Sequence, residues 1–103
     1  MNLADLLANG LLEREGVTER RSRFGHEVAY YHHGREFLHL HGRREADIRV
    51  GRAAIRRKQD ELAGRRGVRL RAGSSSDWVI VALERREDVE FALELADFAI
   101  AGK

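Results

Sequence analysis

Residues 36–42 read Glu36-Phe37-Leu38-His39-Leu40-His41-Gly42, and their alternation decides the fold. Apolar and polar side chains alternate with period two, the pattern of a strand with one face buried. Just upstream, Glu27-Val28-Ala29-Tyr30-Tyr31-His32 reads as a second strand. Between them stands His33-Gly34, a two-residue hairpin loop. A regular ladder from that loop places His26 opposite His41, Val28 opposite His39 and Tyr30 opposite Phe37, all on one face. Ala29, Tyr31, Leu38 and Leu40 then fall on the other, core-side face. Glu36 shares their parity and needs a partner there, such as an arginine at the sheet end.

Working outward, residues 46–50 form a third strand whose Ala46, Ile48 and Val50 join the core face. A register that keeps Asp47 out of the core sets it opposite His41 and sets Arg49 opposite His39. Before this meander, Leu3, Leu6, Leu7 and Leu11 make a helical stripe behind an Asn2 N-cap, with Gly16 as the expected stop. After it, a helix over 52–63 points Ala54, Ile55 and Leu62 inward and stops at Gly64. Val68, Leu70 and Ala72 alternate with Arg69 and Arg71 as a half-exposed strand, and 73–77 is a loop. Residues 78–83 are nearly all apolar and read as the best-buried strand. Val89, Ala92, Leu93, Ala96 and Ile100 define a final amphipathic helix. The expected fold class is α+β: a single antiparallel sheet of about five strands, helices mainly on one face, in the order α-β-β-β-α-β-β-α.

The chain has 103 residues, which predicts one domain over 1–103 with a modest core. It has no cysteine, so neither a disulfide framework nor a thiol nucleophile is available. No signal peptide and no apolar run of membrane-spanning length is recognised, so a cytoplasmic location away from membranes is expected. Net charge is +2, but segment 43–71 carries eleven basic side chains against four acids, a local +7. That segment can steer an anionic partner. A nucleic-acid or acidic-partner module is therefore the alternative reading, although no helix-turn-helix or zinc-finger pattern accompanies it.

The run Gly34-Arg35-Glu36-Phe37-Leu38-His39-Leu40-His41-Gly42, then Asp47-Ile48, Ser76-Asp77-Trp78-Val79 and Glu87-Asp88-Val89-Glu90, resembles the luciferase-domain family. That family comprises the small domain of fungal luciferase and many short bacterial proteins. The similarity spans roughly residues 20–101. It implies an α+β domain and, in the fungal enzyme, oxidation of a hydroxypyrone by molecular oxygen; a shared fold does not carry the reaction with it.

An open sheet face bearing imidazoles, aromatics and a carboxylate is a platform for a small molecule. His39, His41 and Asp47 are the candidate catalytic residues. His26, Tyr30, Glu36, Phe37, Arg49 and Trp78 are the candidate ligand contacts. Imidazole beside carboxylate can take a proton from an enol or phenol. Two histidines and one carboxylate can also hold a metal, or all three can be ordinary sheet-surface residues. From the sequence no metal ligand is assigned, the cofactor is unknown, and the oligomeric state is open.

Overall fold

The computed structural model describes residues 2–21, 27–70 and 76–101. Among the described residues, ten elements follow one another: α1 (Leu3–Leu12), β1 (Val17–Arg21), β2 (Val28–His32), β3 (Arg35–His41), β4 (Glu45–Arg49), α2 (Arg52–Arg57), α3 (Gln59–Gly64), β5 (Val68–Leu70), β6 (Trp78–Ala82) and α4 (Arg86–Ala101). The strands make one six-stranded antiparallel sheet in the order β1-β2-β3-β4-β6-β5. The fold is α+β, with one strand more than the alternation suggested. The extra strand is β1, an edge strand in which only Val17 is buried. Val-Thr-Glu-Arg-Arg carries no two-fold alternation, so its pattern could not reveal it.

Local chemistry explains the turns and caps. The β2–β3 hairpin turns at His33-Gly34, both with positive φ of 51° and 81°, as a type I′ turn requires. Asn2 caps α1 by accepting from the Asp5 N–H at 2.8 Å, and α1 ends at Leu12 rather than running to Gly16. The helix expected over 52–63 is divided at Lys58 into α2 and α3. Asp88, buried in the first turn of α4, accepts from the N–H groups of Glu84 and Arg85 at 2.9 Å each. This is the carboxylate half of a capping box.

The core lies between the sheet and the helices. Leu38, Leu40, Ile48, Val50, Val79 and Val81 pack with Leu7 and Leu11 of α1 and with Val89, Phe91, Ala92, Leu95 and Ala96 of α4. The expected contact of the last helix with the strand face carrying Leu38 and Ile48 is present. Gly10 allows α1 and α4 to approach closely: a Cβ there would stand 2.9 Å from Leu93 Cδ1. β6 alternates instead of being buried throughout, because only Val79 and Val81 meet the core. Ala72, Arg71 and the loop at 73–75 lie outside the described residues.

Two registers differ from the regular ladder. In β2–β3, Tyr31 faces Glu36 and His32 faces Arg35, but beyond a bulge Tyr30 faces Leu38 and Ala29 faces His39. Phe37 is the extra residue. It turns inward beside Leu38, so both are buried. The bulge inverts the expected parity of β2: Tyr30 is core, while Ala29 and Tyr31 share the face of His39. In β3–β4, His39 faces Asp47 and His41 faces Glu45, two residues from the expected register. The turn is made by Gly42-Arg43-Arg44, with Gly42 at φ 60°.

Candidate functional site

The site is built from β3 outward on the face opposite the helix-packed core. Leu38 and Leu40 are held in the core, so His39 and His41 must project to the other side. Asp47 does the same on β4, between Ala46 and Ile48, which are both fully buried. His39 Nε2 lies 3.3 Å from Asp47 Oδ2, and His41 Nε2 lies 3.5 Å from the same oxygen. The two Nε2 atoms are 3.1 Å apart. Three side-chain atoms from two strands therefore converge on one point.

The other nitrogen of each imidazole also meets a carboxylate. Glu36 Oε2 lies 3.3 Å from His39 Nδ1, and Glu27 Oε2 lies 2.5 Å from His41 Nδ1. Glu36 in turn accepts from the Tyr31 hydroxyl at 3.2 Å. Trp78, facing Arg49 across β4–β6, packs its ring against His39 with centroids 5.3 Å apart. The side chains of His39 and His41 are 14 % and 39 % exposed, while that of Asp47 is 0 % exposed. The group thus opens outward at His41 above a buried acid.

The hydrogen bond to Asp47 raises the proton affinity of His39 above the ordinary histidine value; burial opposes this, and the charges of Asp47, Glu36 and Glu27 add to it. Chemically, the arrangement offers nitrogen and oxygen lone pairs at one point. Such a point can take a proton or hold a metal ion.

The candidate residues sort clearly. His39, His41 and Asp47 come together, although through a different pairing, and Asp47 is buried instead of open. Glu36 is moved by the bulge from the expected core parity onto the histidine face. Trp78 stands on that face too. Arg49 has the same parity and lies 3.8 Å from Asp77 Oδ2. Tyr30 and Phe37 do not line this face. Tyr30 is 1 % exposed in the core and donates its hydroxyl to Glu19 Oε2 at 2.6 Å. Phe37 is 4 % exposed. His26 lies outside the described residues.

Glu27 and Tyr31 are the contacts that sequence reasoning missed. The cause was the bulge, which shifts the β2–β3 pairing by one residue, and Glu27, just before β2, meets His41. Asp77, part of the recognised pattern, has a local structural task. Its Oδ1 accepts from the Arg52 N–H at 3.0 Å and its carbonyl accepts from Gly51 N–H at 3.0 Å. This ties the start of α2 to the strand that carries Trp78.

A cleft of about 370 Å³ adjoins the cluster and shares Glu36 with it. Arg35, Arg49, Asp77, Phe37 and Phe98 also line it, while His39, His41 and Asp47 do not. The described basic residues of segment 43–71 lie in the β3–β4 turn, at the end of β4, on α2 and Lys58, between α3 and β5, and on β5. Several of its cations are engaged: Arg69 with Glu45, Lys58 with Glu61, and Arg65 over the Phe91 ring. Among the described residues, no helix is long and apolar enough to cross a membrane.

A six-stranded antiparallel sheet with helices on one face and a His-x-His strand on the other defines the class of domain. Residues 34–99 match the family model described as Luciferase domain, well over half of the chain, and the chain belongs to that family. Comparisons with curated proteins and with solved structures give no match.

Proposed function

We propose that this domain binds a small planar molecule with an acidic hydroxyl, an enol or phenol, at its histidine face. In this reading His39, His41 and Asp47 carry the chemistry, and Glu36, Arg49 and Trp78 contact the ligand. The observation that supports it is the convergence of His39 Nε2, His41 Nε2 and Asp47 Oδ2 within 3.5 Å of one another, beside a tryptophan ring. A hydroxyl arriving from the exposed side of His41 meets an imidazole nitrogen able to accept its proton. The base is His41, and the hydrogen-bonded His39–Asp47 pair beside it is oriented before the ligand arrives. Trp78 offers a flat apolar wall, and Arg49 offers a positive charge to an anionic product. The ligand class agrees with the hydroxypyrone that the family resemblance implies.

The test is a thermal-shift screen of enols and phenols, since a ligand selective for the native state raises the melting temperature. Titrations of wild type, His41→Ala and His32→Ala follow. Binding should fall at least tenfold in His41→Ala and stay unchanged in His32→Ala. Equal binding by wild type and His41→Ala would refute the proposal.

A further inference from the structure

We infer that His39, His41 and Asp47 form a site for a first-row divalent transition-metal ion, held by the two Nε2 atoms and Asp47 Oδ2. The inference rests on the ligand-site reading for what the ion does there, and not for whether it binds.

The donor spacing suits an ion. The three atoms form a triangle with sides of 3.1, 3.3 and 3.5 Å. A tetrahedral ion bound at ~2.0–2.1 Å keeps its donors about 3.3–3.4 Å apart. The triangle matches one face of that tetrahedron without any strand having to move.

The surroundings of the histidines also suit an ion. Each ring presents Nε2 to the common point; His41 has Glu27 at its Nδ1, and Glu36 Oε2 lies 3.3 Å from His39 Nδ1 without a hydrogen bond between them. A carboxylate on the outer nitrogen of a ligating histidine fixes its tautomer and raises its basicity, a recurring arrangement around bound metal. One such pair is a common accident on a sheet surface. Here both inner nitrogens also meet one buried carboxylate oxygen, which makes a built arrangement.

Charge favours it too. Glu27, Glu36 and Asp47 supply three carboxylates around two imidazoles. With neutral rings the group carries −3, and only the proton that His39 shares with Asp47 offsets it at the common point. A divalent cation that replaces this proton is attracted by all three carboxylates.

The donor set selects the ion. Two imidazoles and one carboxylate suit zinc, iron, cobalt or copper, whereas calcium and magnesium prefer all-oxygen shells. Three protein donors leave a position open, and the partly exposed His41 side chain marks its direction toward solvent. An enolate or phenolate oxygen fits that position.

The experiment uses the tag-free chain after chelator treatment, titrated with Zn(II) by calorimetry and with Co(II) by visible absorption. The expected result is one ion per chain, a rise in melting temperature, and cobalt bands of a low-symmetry nitrogen–oxygen site. His39→Ala and His41→Gln should lose at least tenfold in affinity, and Glu27→Gln about tenfold. Asp47→Asn can fail to fold, so His41→Gln, with its fold checked by circular dichroism, decides the matter. Absence of stoichiometric binding by wild type, or equal binding by folded His41→Gln, overturns the inference. If metal fails while the stripped chain still binds an enol through His41, only the metal inference falls. If metal binds and no enol does, only the ligand reading falls.

Discussion

His39 sits between three acids. Asp47 meets its Nε2, Glu36 meets its Nδ1, and Glu27 adds charge from beyond His41. The Asp47 hydrogen bond raises its folded-state proton affinity above that of the unfolded chain. The resulting stabilisation is fully present below about pH 6.5 and is lost as pH rises through the higher folded value. Metal-free protein should therefore unfold at lower urea at pH 8.5 than at pH 6, and His39→Gln should flatten this difference. Equal pH dependence in both proteins would contradict the assignment. His41 has a different profile: its side chain is 39 % exposed and packs no core. His41→Ala should change stability by no more than about 0.5 kcal/mol by urea unfolding. Asp47, fully buried, should not be so tolerant: Asp47→Ala removes the hydrogen-bond partner of His39 Nε2 and should cost about 3 kcal/mol.

At the scale of the elements, the bulge in β3 decides which side chains reach the histidine face. It puts Phe37 in the core and Glu36 beside His39. Phe37→Ala should cost about 3–5 kcal/mol in urea unfolding; an open-face phenylalanine would cost far less, so a loss below 1 kcal/mol would rule the bulge out. Much of this region was legible. His33-Gly34 marked the hairpin, and Leu38-His39-Leu40-His41 marked the two faces. The bulge was not legible, because an apolar Phe37 suits either a core position or an aromatic pair with Tyr30. Neither was the β3–β4 register, since a two-residue slip keeps every side chain on its own face. Burial of Asp47 was hidden for a related reason: parity tells the face but not what covers it. β1 was invisible because an exposed edge strand needs no apolar alternation.

For the whole molecule, the sheet separates two tasks. Its helix-packed face holds the core, and its other face carries the candidate site. Apart from Arg49 on the histidine face, the described basic residues of segment 43–71 are distributed over turns, a short helix and an edge strand. Binding to a defined oligonucleotide should accordingly be weak at physiological salt, and any binding should weaken steeply as salt rises. Sub-micromolar binding there would favour the basic segment as the working surface. The central claim is that β3 and β4 bring His39, His41 and Asp47 to one point. Its most direct test is imidazole nitrogen NMR of the metal-free chain as pH is varied, for wild type and for a folded Asp47→Asn variant. The account predicts that His39 titrates above the ordinary histidine range in wild type and falls back toward it in Asp47→Asn. An ordinary, identical His39 titration in both proteins would contradict it.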